Sequence, residues 1–305
     1  IVYTNILYTS IITTMDITMN STKKVLVTGA TGQQGGSVVN ALLNRGYSVR
    51  GLTRNVTSPS ATSLAERGVE VSEGNFKNHD SLVAALQGVD AVFFMTTPFE
   101  EGSDAEIEQG LAMITAIKKS QVQHVVFSSV GSANQNTGIP HFDSKYEVEK
   151  MLSKSGVNFT IVAPVWFMDN FHYPQSREGI RNGVLAVAVP ENKVFQQIAV
   201  SEIGEFVAAI IERGASEYGK RYDLASENST GPEYTAELSS LVGKDLSYLA
   251  LAPEAYRAMG GEDFVLMAKW FGEVGYSVNV PALKAAFPEV PLNGFKKWAT
   301  KQSWN

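Results

Sequence analysis

Apolar residues along the first two-thirds of the chain come in short runs separated by segments with helical spacing. KKVLVTG, YSVRGLTR, VEVSEGN, DAVFFMTT, HVVFSSV and NFTIVAP read as strands. Between them, QGGSVVNALLNRG, SATSLAERG, HDSLVAALQG, SDAEIEQGLAMITAIKKS and SKYEVEKMLSKSG carry the spacing of helices, the first ending at Gly46. Strands apolar on both faces, alternating with helices, predict a parallel sheet covered on both sides. The expected fold class is therefore α/β, a Rossmann-type doubly wound parallel sheet. Its ligands bind at the C-terminal ends of the strands. After Pro164 the rhythm changes. WFMDNFHYPQSREGIRNG reads as an aromatic loop, AVSEIGEFVAAIIERG as a helix, and KRYDLAS as a strand returning to the sheet. From about residue 232 the chain is helical and punctuated by proline. The predicted organisation is a flexible extension over 1–20 and a dinucleotide-binding domain over 21–165, to which 195–227 returns. Residues 166–194 and 228–305 form a smaller, mainly helical, substrate-side subdomain.

Composition narrows the function classes. Hydrophobic residues make up 44% and charged residues 18%, a globular balance. The formal net charge of -6 with no basic cluster argues against direct nucleic-acid binding and against an anionic membrane surface. No apolar run is long enough for a membrane span. Cysteine is absent, which removes disulfides, thiolate metal sites and cysteine nucleophiles. A cytoplasmic protein without a metal is the expectation.

The strongest motif is VTGATGQQGG, where Gly29, Gly32 and Gly35 stand between a strand and a helix. The first glycine permits the tight turn, the second lets backbone approach a pyrophosphate, and the third lets helix and strand pack closely. Backbone N–H groups from Thr31 to Gly35 then face phosphate at a positive helix end. NAD sites place an acid at the end of the second strand, whereas this strand ends in GLTRN. Arg54 occupies that end, and a planar guanidinium suits a 2′-phosphate, so NADP(H) is expected. At the following strand ends, Asn75 and Phe76 border the adenine, and Thr96, Thr97 and Pro98 run along the cofactor. Ser128 and Ser129 close the fifth strand.

HFDSKYEVEK contains a literal Y-x-x-x-K, Tyr146 to Lys150, the spacing of a carbonyl-reducing Tyr/Lys pair. Helical geometry argues against it. Measured from Val148 on the buried stripe, Tyr146 and Lys150 fall at roughly 160° and 200°, while His141 and Lys145 fall at roughly 20° and 60°. The expected pair is His141 and Lys145. Lys145 holds the nicotinamide ribose, and His141 is either the proton donor or a helix-entry residue with a local hydrogen bond.

GATGQQGGSV, the GLTRN strand end, HFDSKYEVEK and APVWFMDNF together resemble the NmrA-like branch of the atypical short-chain dehydrogenase/reductases, over about residues 23–300. The resemblance implies a phosphate loop of Gly29, Ala30, Thr31, Gly32, Gln33 and Gln34. It also implies a 2′-phosphate contact by Arg54 with Asn55 to Ser58. Lys145 with Phe167, Met168, Asp169 and Asn170 would lie on the nicotinamide side. Family members keep the lysine and lack the tyrosine, as here. Some reduce quinones, azo compounds or aromatic metabolites with NADPH, and others sense the NADPH/NADP ratio and regulate a protein partner. The expected function is hydride transfer to a planar, quinone-like or small aromatic acceptor, with a non-catalytic redox sensor as the alternative. The aromatic segment Trp166, Phe167, Phe171, His172 and Tyr173 either lines a flat pocket for the acceptor or packs beneath the C-terminal subdomain.

Overall fold

The computed structural model describes residues 23–304. The expected extension over 1–20 lies outside the described residues. The first half alternates strictly: β1 (Lys24–Thr28), α1 (Gln33–Asn44), β2 (Ser48–Thr53), α2 (Pro59–Glu66), β3 (Glu70–Glu73), α3 (His79–Ala85), β4 (Ala91–Met95), α4 (Ser103–Ile117), β5 (His124–Ser128), α5 (Pro140–Lys154) and β6 (Phe159–Pro164). Then come β7 (Trp166–Phe167), α6 (Pro174–Arg181), β8 (Val184–Val187), β9 (Gln197–Ile198), α7 (Val200–Arg213) and β10 (Arg221–Leu224). The chain closes with α8 (Gly231–Val242), β11 (Ser247–Ala250), α9 (Arg257–Glu273), α10 (Val280–Ala286) and α11 (Gly294–Thr300).

The main sheet has seven strands in the order β10-β6-β5-β4-β1-β2-β3, and its neighbouring strands pair in parallel. The order reverses beside β1, leaving a crevice at the ends of β1 and β4, where a doubly wound sheet takes its ligand. One sheet face is covered by α1 and α7 through Val38, Val39, Leu42, Ile203, Phe206 and Val207. The other is covered by α3, α4 and α5 through Leu82, Met113, Ile114, Val148 and Leu152. Both faces are buried, so β4 and β5 read as apolar runs without alternation.

A separate apolar cluster joins the start of α5, the segment after β6 and the C-terminal helices. Phe142, Met168, Phe171, Trp270, Phe271, Phe295 and Trp298 are buried in it. Three rings of the aromatic segment pack here, while Tyr173 is exposed. Trp166 packs at 4.8 Å from Phe171 and 5.0 Å from Phe195. His172 lies between Trp298 and Trp304, at 5.4 and 5.5 Å. These rings are spent on packing. Among the described residues, no helix is long and apolar enough to cross a membrane.

Buried His124, at the start of β5, bonds Thr160 Oγ1 through Nε2 at 2.8 Å. Burial lowers its pKa to about 4, because a charged imidazole there would lack water. The folded form therefore resists protonation that the unfolded chain accepts near pH 6.5. Stability from this group is present above that pH and is lost as pH falls toward about 4. Urea midpoints measured across this window are expected to drop, and His124→Gln is expected to flatten that drop.

Candidate functional site

The turn after β1 builds the first part of the site. Gly29 has φ +60, and its carbonyl accepts from Gly32 N at 2.9 Å. A Cβ on Gly35 would stand 2.2 Å from Gly29 O, so only glycine lets α1 start this close to the strand. No side chain caps the N-terminus of α1. In contrast, Ser58 caps α2, Asn78 caps α3 and Thr230 caps α8. The first turn of α1 thus keeps N–H groups for an outside oxyanion. Ser128 Oγ at the end of β5 donates to Gln34 Oε1 at 2.7 Å, which ties this turn to the middle of the sheet. Ala30 is buried, while Thr31, Gly32 and Gln33 are exposed.

Arg54 follows β2 directly, and its guanidinium is 72% exposed. It is engaged twice by Glu100, Nη1 to Oε2 at 2.6 Å and Nη2 to Oε1 at 3.1 Å. The hydrogen bond from Arg54 holds the Glu100 carboxyl below its usual range and raises Arg54 in turn. Asn55 is committed locally, its Oδ1 accepting from Thr57 N at 2.9 Å. Asn75 Oδ1 likewise accepts from Lys77 N, at 2.9 Å, leaving its amide nitrogen. Phe76 is partly buried against the core under α3 and α4.

The end of β4 meets α4 and α5 in a buried polar knot. Glu106 is fully buried. Its Oε1 accepts from Lys145 Nζ at 2.5 Å and from Thr96 Oγ1 at 2.9 Å. Its Oε2 accepts from Ser144 Oγ at 2.5 Å. Lys145 Nζ also donates to Thr96 O at 3.1 Å, leaving one of its three N–H donors. Thr97 is clamped by Gln109 through two hydrogen bonds of 3.0 Å, and buried Pro98 follows. Gly110, one turn after Glu106, explains how the helices come this close. A Cβ there would lie 2.5 Å from Val148 Cγ2.

His141 is buried at the start of α5. Its Nδ1 hydrogen-bonds Asp263 of α9, a partner 122 residues away rather than a local one. Its ring lies 5.9 Å from Phe99 and 6.0 Å from Phe264. A break in α9 at Gly260 and Gly261 precedes these partners. A Cβ on Gly260 would meet the Phe264 ring at 2.0 Å. The literal Tyr146/Lys150 pair stays apart from this group. Lys150 is 40% exposed, bonds Glu147 at 2.5 Å and lies 5.1 Å over the Tyr146 ring. Tyr146 itself is only half-exposed, because the C-terminal aromatic cluster covers that side of α5.

The segment after β6 is mixed. Phe167 is half-buried in β7. The Met168 side chain is fully buried in the aromatic cluster, so only its backbone is left to face a ligand. Asp169 Oδ2 accepts from Val200 N at 2.8 Å at the start of α7. It also lines a cavity of about 400 Å³ beside Ala30, Thr31, Gly32 and Gln33. Asn170 O accepts from Tyr173 N at 3.1 Å. Ser129 belongs to a structural network: its hydroxyl bonds Glu149, which accepts from Arg221 Nε at 2.9 Å. Among the described residues, no cluster of His, Asp or Glu is arranged to hold a metal.

The family model described as the NmrA-like family matches residues 21–300. The chain belongs to the NmrA-like family. One relative, named NAD(P)H azoreductase, from Xenophilus azovorans, is 30% identical over 241 residues, covering 78% of this chain and 80% of its own. A solved structure of the NADPH-dependent quinone oxidoreductase QOR2 from Escherichia coli, complexed with NADPH, superposes with a TM-score of 0.76 at 24% identity. That match covers 90% of this chain and 98% of the other. NmrA itself, a negative transcriptional regulator solved in complex with NAD, gives 0.77 at 18% identity over 93% and 99% of the two chains.

In this NmrA-like chain, four groups fit a phosphorylated dinucleotide. They are the uncapped first turn of α1, the Gly29 turn, Arg54 and the remaining Lys145 donor. Sequence reasoning missed Glu106, Glu100, Phe99, Asp263 and Phe264. Only Glu106 carried a local signal, since it shares a buried helical stripe with Gly110, Met113 and Ile117.

Proposed function

We propose that this NmrA-like protein binds NADP(H) and passes hydride to a planar, quinone-like acceptor. The observation that carries this reading is the Lys145–Glu106–Thr96 knot. It holds a cation inward beside the crevice with one N–H donor uncommitted. That donor suits a ribose hydroxyl, and the exposed fork of Arg54 suits a 2′-phosphate. When bound, the reduced cofactor supplies a hydride, two electrons with one proton. The chain's own residues orient and screen. Phe99, exposed and leaning on His141 and Phe264, offers a flat surface against which an aromatic acceptor stacks. A quinone that takes hydride becomes a hydroquinone anion, and its remaining proton comes from water or from His141. The missing tyrosine matters less for such an acceptor than for a ketone. The names of the azoreductase and quinone oxidoreductase relatives agree with this class of acceptor.

The test is a titration with NADPH and with NADH, followed in the same cuvette by a simple quinone. NADPH is expected to bind in preference and to be oxidised over many turnovers. NADPH that binds tightly and stays reduced across a range of quinones would instead favour a cofactor-sensing regulator acting on a protein partner.

A further inference from the structure

The loop between β4 and α4, residues 96–102, touches both ends of the candidate site. Glu100 occupies the fork of Arg54 at 2.6 and 3.1 Å. Its neighbour Glu101 accepts from Lys77 Nζ at 2.6 Å. On its other side Phe99, 66% exposed, leans on His141 at 5.9 Å and Phe264 at 5.8 Å. The loop ends in a tight turn, with Gly102 at φ 91 donating to Pro98 O at 2.7 Å. One short segment therefore reports at once on the arginine and on the histidine.

A guanidinium fork recognises carboxylate and phosphate by the same bidentate geometry, so the two anions compete for it. The Arg54–Glu100 pair is exposed on both sides, at 72% and 55%, and an exposed pair exchanges easily. A ribose without a 2′-phosphate brings no anion to compete. Resting on the NADP(H) reading above, we propose that Glu100 is a built-in competitor for the 2′-phosphate. The phosphate takes Arg54 from Glu100, and the released loop lifts Phe99 from His141 and Phe264. NADPH, and not NADH, thereby uncovers the acceptor side. Lys77, bonded to the neighbouring Glu101, stands beside the loop and can share its ammonium with the displaced carboxylate. Glu100 is then a specificity residue in two senses. It weakens the phosphorylated cofactor by competition, and it couples the phosphate to access at the other end of the site.

The experiment uses the full chain with adenosine 2′,5′-bisphosphate and 5′-AMP as probes, alongside NADPH and NADH. Calorimetry on Glu100→Gln is expected to show NADPH and the bisphosphate binding about two- to fivefold tighter, the worth of an exposed ion pair. NADH and 5′-AMP should be unchanged. A Phe99→Trp reporter, read as a difference from the parent with its four tryptophans, is expected to shift to the red with the bisphosphate and not with 5′-AMP. In the Glu100→Gln background the reporter should already be shifted and should no longer respond. Tight bisphosphate binding with an unchanged NADPH:NADH ratio in Glu100→Gln, or the same reporter shift with both nucleotides, would overturn this inference alone. Failure of the bisphosphate to bind would overturn it together with the NADP(H) reading.

Discussion

Replacing Glu106 with alanine is expected to lower stability by about 3–5 kcal/mol, the cost of breaking a buried ion pair by removing one partner. The carboxylate has no solvent exposure, and the Lys145 side chain is only 12% exposed. Without Glu106, the ammonium keeps Thr96 O as a partner and loses its counter-charge. The hydroxyls of Thr96 and Ser144 lose their acceptor as well. Collapse into the space is resisted because Gly110 and Val148 already hold the helices at contact distance. Glu106→Gln should cost less, since it keeps the shape and one oxygen acceptor while removing the charge. Adding Lys145→Met to Glu106→Ala should restore part of the loss, because the stranded cation is then gone. The check is a double-mutant cycle by urea denaturation. Strict additivity of the two changes would mean that the pair contributes through packing alone.

The parallel sheet was legible because both of its faces are buried, which turns strands into apolar runs set between helices of a different period. The glycine turn was legible because its reasons are local. Gly29 needs a left-handed φ of +60, and Gly35 must clear a carbonyl six residues earlier. The inward turn of α5 could be read from helical angles, yet the partners on that face could not. Glu100 stands 46 residues from Arg54, and Asp263 stands 122 from His141. Nothing in either local pattern names the other. The aromatic segment after β6 was ambiguous for the same reason. Ring spacing does not distinguish a pocket wall from a core, and Phe195, Phe295 and Trp298 reach it from distant elements. Glu106 differs, since an acid on an otherwise apolar helical stripe is a local oddity that asks for a cation.

Lys145→Ala is expected to weaken NADPH binding by roughly 10- to 100-fold, the worth of one hydrogen bond from a charged donor. Lys150→Ala should leave binding unchanged, because Lys150 is engaged with Glu147 on the outer side of α5. Removing Lys145 also leaves Glu106 without its cation, so a simple loss of folding could imitate a binding defect. The cofactor itself provides the control. The nicotinamide ribose is common to NADH and NADPH, so Lys145→Ala should weaken both by the same factor and keep their ratio. The 2′-phosphate belongs to NADPH alone, so Arg54→Ala should collapse the ratio and spare NADH. Fluorescence titration of both nucleotides against the three variants, each first shown to be folded, separates these roles. Equal losses from Lys145→Ala and Lys150→Ala would count against an inward lysine at the ribose. A changed ratio in Lys145→Ala would move that lysine to the phosphate end of the crevice.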